Sequence, residues 1–268
     1  MKIMGSLAKF EIMLLGLIQG LTEWLPISST GHLRLFELLL GLNFPPLFAL
    51  ALHIGTLTVT VFFFRIEVKK ILAALIKFDF KSKEGSIIPK IFFSLVFSAA
   101  IGAPVNFFFR EIFYGVMPLG AAFILSGLII YASKKGEPVK EFVDYRSAVL
   151  IGVMQGLSII PGLSRSGLTI STALMLGIKR EEAFRFSFLL SIPAILGALI
   201  ALLFSESSLM IETDLKFIDI FASCLIAVFS GYASLKFLRS FLHKFHLFAL
   251  YLLPLGSLLI LTGLLTTL

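Results

Sequence analysis

Two long, mainly apolar runs set the strongest limit on how this chain can fold. They cover residues 183–204 and 217–235, and each is close to the ~20 residues with which a helix crosses a bilayer. The whole chain is 58% hydrophobic and only 15% charged, whereas soluble domains carry roughly 25% charged residues. The sequence therefore predicts a polytopic membrane protein and argues against a soluble enzyme.

Six apolar segments predict spanning helices, because lipid-exposed backbone must satisfy its own hydrogen bonds. They cover 44–64, 91–109, 112–132, 183–204, 217–235 and 247–265. The loops between them differ in charge. Lys and Arg are concentrated at 65–90, 134–146, 179–185 and 236–244, whereas 205–216 carries one Lys against three acids. The positive-inside rule places the first four loops in the cytoplasm and the last one outside.

Two further apolar stretches, 10–42 and 148–178, are predicted to be re-entrant hairpins. The second stretch begins after the cytoplasmic Arg146 and ends at the cytoplasmic Lys179, so it enters and leaves the membrane by one side. The first stretch must end outside, because 44–64 runs inward to Arg65. If it is also a hairpin, the amino terminus lies outside as well.

The two predicted hairpins are related in sequence. GLIQGLTEWLPISSTGHL (16–33) aligns with GVMQGLSIIPGLSRSGLT (152–169) at a constant offset of 136 residues. The matched pairs include Gln19 with Gln155, Ser28 with Ser164, and Gly31 with Gly167. A period of this kind marks an internal repeat. Because three spanning helices follow each hairpin, the second copy is expected to have the opposite orientation in the membrane.

The expected fold is thus an all-α polytopic membrane protein with an inverted repeat. Each half is a re-entrant helical hairpin followed by three transmembrane helices. Residues 1–268 form a single integral membrane domain, with one repeat at about 1–135 and the other at about 144–268. Folds of this type place ligand sites where the broken helices of the two halves meet.

The first hairpin carries an unusual set of polar residues. Pro26 is expected to end the helix that holds Gln19 and Glu23, which share one face because they lie four residues apart. Ser28 or Ser29 is placed to cap a second helix that begins near Thr30. Read alone, each serine is most simply a helix cap.

The second hairpin repeats the break with other chemistry. Pro161 and Gly162 interrupt the helix, Ser164 is the candidate cap, and Arg165 and Thr169 fall on one face of the following helix. Two helix amino termini, each with unpaired N–H groups and a positive dipole end, would then face one cavity. That arrangement predicts an anion site.

Glu23 and Arg165 are the residues least compatible with a purely structural role. An ionised side chain in hydrocarbon costs at least a few kcal/mol, so each is expected to face a cavity or a partner. They pair either with one another or with a bound anion. His32 is a candidate for catalysis beside them, whereas His53, on an apolar helix, is interpreted as a core or interface residue. Such a combination suits phosphoryl transfer to or from a lipid phosphate.

Together QGLTEWLPISSTGHL and PGLSRSGLT resemble the signatures of the undecaprenyl-diphosphate phosphatase family, also called bacitracin resistance proteins. The resemblance covers nearly the whole chain and includes FRFSFLLSIPAILGA (184–198). It implies hydrolysis of undecaprenyl diphosphate to undecaprenyl phosphate and inorganic phosphate, which recycles the lipid carrier for peptidoglycan and other envelope polymers. It also implies the bacterial plasma membrane and an active site open to the external face.

The resemblance assigns catalysis to Glu23, Ser29, His32 and Arg165. The expected substrate-binding residues are Gln19, Ser28, Thr30, Gly31, Gln155, Ser164, Ser166, Gly167 and Thr169. Many members of the family have glutamate where this chain has Gln19, which weakens any mechanism that needs two carboxylates. No tightly bound cofactor or protein-held metal is expected, although Mg or Ca can accompany the diphosphate.

Three alternatives stay open at this stage. Either Ser29 or His32 attacks the phosphorus, with Glu23 assisting proton transfer. A lipid-phosphate transporter or flippase would share the inverted-repeat fold, although transport does not need the cluster of Glu23, Ser29 and His32. The expected partners are the polyprenyl diphosphate and the bilayer, without nucleic acid, and the sequence does not decide whether the chain forms a homodimer.

Overall fold

The computed structural model describes residues 2–3, 9–43, 46–109, 112, 115–205 and 216–267. The regular secondary structure of this part of the chain is helical apart from a two-residue parallel pairing of β1 (Lys2–Ile3) with β2 (Leu42–Asn43) and an isolated bridge between Lys140 and Ile178. The helices are α1 (Lys9–Trp24), α2 (Ser29–Leu40), α3 (Pro46–Phe63), α4 (Arg65–Ile76), α5 (Ile87–Phe109), α6 (Val116–Ala132), α7 (Tyr145–Leu157), α8 (Arg165–Met175), α9 (Arg180–Ser205), α10 (Phe217–Phe241) and α11 (Ala249–Thr267).

The protein is an all-helical, multi-pass membrane protein. Four helical stretches are long and apolar enough to cross a bilayer, and α3 with α4 makes a fifth if that bent pair is counted as one span. The four are Ile87–Phe108, Val116–Lys135, Arg180–Ala201 and Phe217–Leu265. The last of them contains both α10 and α11, joined by a 3₁₀ segment at Leu242–Phe248. Each of the six apolar segments predicted as spans therefore contains a helix.

The segment 65–90 differs from the loop that its charge suggested. Its first part, Arg65–Ile76, is the helix α4, which turns 84° away from α3. The run RIEVKKILAALI mixes charged and apolar residues. Its Lys and Arg residues predicted a loop, although the segment is helical. The turn at Phe64 places a basic helix at one end of α3.

Both predicted helix breaks are present. In the first hairpin α1 ends at Trp24, a turn covers Leu25–Ile27, and Ser28 caps α2 by accepting a hydrogen bond from the Gly31 amide at 3.2 Å. In the second hairpin α7 ends at Leu157, and Ser164 caps α8 by accepting from the Gly167 amide at 3.1 Å. A side-chain acceptor at this position satisfies an N–H group that has no partner inside the helix.

Each hairpin packs against a helix that comes from the other half of the chain. Helix α1 lies on α10, where a Cβ on Gly16 would overlap the Ser223 carbonyl; helix α7 lies on α5, where a Cβ on Gly152 would overlap the Ser94 carbonyl. Small residues at such crossings let helix backbones approach closely. One hydrogen bond accompanies each of these two helix crossings.

These two hydrogen bonds follow the sequence repeat. The Ser223 hydroxyl donates to the Ile12 carbonyl at 2.8 Å, and the Ser94 hydroxyl donates to the Ala148 carbonyl at 2.6 Å. Ile12 and Ala148 are 136 positions apart (148 − 12), which is the offset of the aligned motifs. The two halves thus hold each other's hairpins through equivalent contacts.

The core surrounds the second hairpin. Nine consecutive residues of α8, from Ser166 to Leu174, are buried, although four of them carry hydroxyls. The Thr172 hydroxyl donates to the Leu168 carbonyl at 2.7 Å, and the Thr169 hydroxyl pairs with that of Ser187 at 2.6 Å. These bonds satisfy polar groups that would otherwise destabilise a buried helix, and they hold the amino end of α8 in a fixed place.

Candidate active site

Glu23 lies at the centre of a buried polar cluster near the carboxyl end of α1. Its side chain is only 6% exposed. One carboxylate oxygen accepts a hydrogen bond from the Arg165 guanidinium at 2.9 Å, and the other accepts from the Ser29 hydroxyl at 2.6 Å and from the Gln19 amide at 3.2 Å. The pairing of Glu23 with Arg165 is one of the two alternatives that the sequence predicted.

Ser29 reaches Glu23 because it is the first residue of α2. The preceding residue, Ser28, has φ of 70°, and its hydroxyl accepts hydrogen bonds from the amides of Gly31 and Gly162, both at 3.2 Å. In the opposite direction, the Ser166 hydroxyl donates to the Leu25 carbonyl at 3.2 Å. The turns of the two hairpins are therefore bonded directly to each other, and Gly31 packs against Phe123 and Gly162 in the same contact.

Arg165 is the first residue of α8 and is held on two sides. One nitrogen of its guanidinium bonds Glu23, and the group lies over the Trp24 ring with 5.2 Å from Cζ to the ring centroid. Its other terminal nitrogen, Nη1, is buried and has no hydrogen-bond partner within the described part of the chain. A guanidinium that keeps one donor free can still bind an anion.

These groups line a small cavity of about 140 Å³. One water needs roughly 10–15 Å³ of such space, so the cavity has room for a phosphoryl group. Its lining consists of Glu23, Ser28, Ser29, Thr30, His53, Ser158, Leu163, Ser164 and Arg165. The amino ends of α2 and α8 both meet it, which gives the positive dipole ends that favour an anion.

His32 lies one turn into α2 and does not line this cavity. Its Nδ1 is 2.7 Å from the Ser28 carbonyl oxygen, and its Nε2 is 2.7 Å from the Tyr251 hydroxyl. The ring stacks on Tyr251 and meets Phe123 edge-on. Both nitrogens are thus engaged by partners other than Glu23, and the ring ties α11 to the turn that carries Ser28 and Ser29.

His53 does line the cavity, contrary to its interpretation as a core or interface residue. Its Nδ1 is 3.2 Å from the Gln19 amide nitrogen and 3.7 Å from the nearer Glu23 oxygen. Helix α3 packs beside α1, and this long-range contact leaves no trace in the local sequence. The available signal was the cost of an isolated polar side chain in an apolar helix.

Comparisons with known proteins identify the family of this chain. The family model described as bacitracin resistance protein BacA matches residues 12–258, which is most of the chain. The chain belongs to this family. Similar proteins include an undecaprenyl-diphosphatase of Carboxydothermus hydrogenoformans, 40% identical over 88% of this chain and 89% of its own length. A protein of the same name from Halothermothrix orenii is 37% identical over 88% of this chain and 90% of its own length. Another, from Korarchaeum cryptofilum, is 34% identical over 92% of this chain and 96% of its own length.

Several residues assigned to substrate binding lie outside the cavity of this bacitracin resistance family member. The Gln155 amide donates to the Ser98 hydroxyl at 3.4 Å, the Thr169 hydroxyl donates to the Arg165 carbonyl at 2.8 Å, and Gly167 packs beneath Ser164. Their contacts support the helix ends. Ser158, which is not among the expected site residues, lines the cavity instead.

The described residues contain no group of three His, Cys, Asp or Glu side chains placed to hold a metal ion. Among the residues that line the cavity, Glu23 and His53 are the potential metal ligands, and Glu23 is paired with Arg165 of the second hairpin. The Mg or Ca ion expected to accompany a diphosphate stays a prediction.

Proposed function

We propose that this protein hydrolyses undecaprenyl diphosphate to undecaprenyl phosphate and inorganic phosphate. Membership of the bacitracin resistance family and the name of its relatives support the substrate. The observation that carries the chemistry is the 2.6 Å hydrogen bond from the Ser29 hydroxyl to the Glu23 carboxylate, beside a buried arginine. By recycling the carrier lipid, the reaction supports cell-wall synthesis and confers resistance to bacitracin.

In the proposed first step, Ser29 Oγ attacks the terminal phosphorus while Glu23 takes its proton. A hydroxyl needs such an adjacent base to act as a nucleophile near neutral pH, and Ser29 already donates to Glu23 in the resting site. His32 suits this attack less well, because both of its ring nitrogens lie within 2.7 Å of other partners. The geometry therefore favours Ser29 as the nucleophile and His32 as the residue that positions the Ser28–Ser29 turn.

Arg165 and the helix ends bind the diphosphate in this proposal. In this proposal Nη1 of Arg165, which is buried and has no partner among the described residues, bonds a phosphate oxygen while the other terminal nitrogen keeps its bond to Glu23. N–H groups at the amino ends of α2 and α8 supply further donors without any charged side chain. Ser28, Thr30 and Ser164 add hydroxyls to the same wall.

We further propose that α1–α2 and α7–α8 are re-entrant hairpins of an inverted repeat, with halves at about 1–135 and 144–268. Their equivalent contacts with α10 and α5 support this topology. The charges of the sequence, basic in four of the segments between spans and acidic at 205–216, support an orientation by the positive-inside rule, and in this proposal the site opens to the outer face of the plasma membrane.

The decisive test is phosphate release by the purified protein in detergent, with undecaprenyl or farnesyl diphosphate as substrate. We expect turnover by the wild type, none by Ser29→Ala, and reduced turnover by His32→Ala. Detergent solution has no second compartment, so release there separates hydrolysis from the rival transport function. A wild type that binds the lipid but releases no phosphate would leave the flippase as the better account.

Two further arms address the nucleophile and the metal. Turnover by Ser29→Ala at the wild-type rate would transfer the attack to His32 or to water. Exhaustive chelation should reduce the rate if Mg or Ca accompanies the diphosphate, and undiminished activity after chelation excludes an obligatory ion.

A further inference from the structure

Helix α4 turns away from the direction of α3 at the end of an apolar segment. The bend between the two helices is 84°, so α4 lies nearly perpendicular to α3. Helix α3 has 18 residues and is about 27 Å long at about 1.5 Å per residue, which is close to the ~30 Å thickness of the hydrocarbon core of a bilayer. When α3 crosses the membrane by itself, α4 lies along one surface of the membrane.

One side of α4 and the turn after it expose apolar side chains that the protein does not cover. Leu75 and Ile76 lie three and four residues after Leu72, so the three share a face of the helix. Phe78 and Phe80 follow, with their rings edge to face at 6.3 Å between centroids. All five are exposed, from 41% for Phe80 to 78% for Ile76 and Phe78. We call these five residues the α4 apolar surface.

The same segment carries positive charge that its own acidic residues do not neutralise. Residues 65–84 contain six Lys or Arg residues against three acidic ones. Glu84 pairs with Lys70 at 3.3 Å, and the Asp79 carboxylate accepts hydrogen bonds from backbone amides of the turn that follows α4. The ammonium groups that form no salt bridge within the part of the chain that the structure describes include those of Lys69, Lys77 and Lys81.

These lysines border the α4 apolar surface. Lys69 precedes Leu72 by three residues, and Lys77 directly follows Ile76. Helices with this pattern lie in the membrane interface, because their apolar side chains enter the boundary between headgroups and acyl chains. Lysine stems are long enough to keep the ammonium group at the level of the lipid phosphates. Apolar contact and charge complementarity therefore point to the same occupant, a bilayer surface with anionic headgroups.

We propose that residues 65–81 form an interfacial anchor that binds anionic phospholipids of the inner leaflet. The positive-inside rule places this basic segment at the cytoplasmic face, where anionic lipids attract basic segments next to a span. The α4 apolar surface enters the upper acyl-chain region, and the bordering lysines contact lipid phosphates. This role is independent of the proposed hydrolysis, because no residue of α4 lines the cavity that contains Glu23 and Ser29.

The depth of α4 can be measured with an introduced tryptophan, because the chain has a single tryptophan, Trp24, which is fully buried. Ile76→Trp places an indole on the α4 apolar surface. Ala73→Trp is the matched control, since Ala73 lies three residues after Lys70 and four before Lys77 and so shares their side of the helix. In phospholipid vesicles with bromine on the upper acyl chains, we expect strong quenching of Ile76→Trp and weak quenching of Ala73→Trp, after subtraction of the wild-type emission.

The headgroup preference is measured in vesicles with equal amounts of phosphatidylcholine and phosphatidylglycerol, only one of which is brominated. Each basic residue near an anionic surface strengthens binding roughly fivefold, so quenching of Ile76→Trp should report a preference for phosphatidylglycerol of at least about fivefold. The preference should disappear when three charges are removed together by Lys69→Gln, Lys77→Gln and Lys81→Gln. It should persist when the same charge is removed elsewhere by Lys134→Gln, Lys135→Gln and Lys244→Gln.

Three outcomes would overturn the anchor. Equal quenching by the two brominated lipids excludes a preference for anionic headgroups. Loss of the preference in both triple variants assigns it to the net charge of the protein. No quenching in Ile76→Trp or in Phe78→Trp, a second variant on the same surface, shows that protein covers this surface, as a second copy of the chain would. Phosphate release by Ile76→Trp in detergent is expected at the wild-type rate, so the anchor and the proposed hydrolysis are tested separately.

Discussion

The two hairpins share a scaffold but not their chemistry. Both break at a proline, both start a second helix with a capping serine, and both pack on a helix of the other half. Yet the first has Ser29 and His32 where the second has Arg165 and Leu168. The packing is thus alike in the two hairpins, whereas the proposed reactive groups lie on the first and the proposed anion-binding cation lies on the second.

Replacement of Glu23 is expected to have the largest effect on activity. In Glu23→Gln we expect phosphate release to fall by roughly 10³-fold or more, because the general base is lost while the shape is kept. Its counterpart in the second hairpin is Ile159, which is 44% exposed, and Ile159→Ala should keep the wild-type rate. Steady-state kinetics of both variants measure the asymmetry, and equal losses would contradict it.

The next effect concerns the cation of the second hairpin. Arg165→Lys keeps the charge but loses the planar fork that bonds Glu23 and leaves Nη1 free. We expect kcat/KM to fall by roughly 10²-fold, because lysine presents a point charge in place of two directed donors. Arg185→Lys, which changes an arginine paired with Glu182 on α9, is the control and should stay close to wild type.

The shared scaffold predicts equal effects at matched positions. Gly16→Ala and Gly152→Ala each introduce a Cβ against the carbonyl of a serine on the opposite helix. Overpacking of this kind costs about 1–3 kcal/mol, so both variants should lower the midpoint of thermal unfolding in detergent by similar amounts. Gly197→Ala on α9, where a Cβ meets open space, should leave the midpoint unchanged or raise it. A large difference between the first two variants would break the equivalence.

The smallest expected effect is on stability and concerns Asp144, at the start of α7. Asp144 caps α7 through the Ser147 amide at 2.7 Å, and a hydrogen bond from Lys140, followed by that amide bond, lowers its pKa from 3.8 to about 2. Because the folded-state pKa is depressed, its stabilisation is present above pH 4 and is lost as the pH falls toward 2. We expect Asp144→Asn to lower the unfolding midpoint slightly at pH 6 and the difference to vanish near pH 2. The aligned position in the first hairpin is Ala8, which has no side-chain acceptor.

Local sequence rules predicted the features that depend on neighbouring residues. The helix breaks at Pro26 and Pro161 and the caps at Ser28 and Ser164 follow from backbone chemistry within a few positions. The cost of isolated charges in a membrane predicted that Glu23 and Arg165 pair either with one another or with a bound anion, and the structure has the first of these pairings. These rules were sufficient to find most of the cavity wall.

The features that were missed depend on how distant helices pack. His53 reaches Glu23 only because α3 lies beside α1, and His32 turns away from Glu23 because Tyr251 of α11 offers it a hydroxyl. No periodicity or motif within a single segment contains this information.

The exchange of hairpins between the halves also orders the events of biosynthesis. The Ile12 carbonyl obtains its hydrogen-bond donor only when Ser223, 211 residues further along the chain, has been synthesised. At about 5–20 residues per second, this interval lasts roughly 10–40 s. The Glu23 carboxylate likewise obtains its ion pair only after Arg165, 142 residues further along the chain, has been synthesised. Until then the first hairpin has neither its packing helix nor the cation for its carboxylate, so the nascent chain must keep it near water or shield it within the insertion machinery.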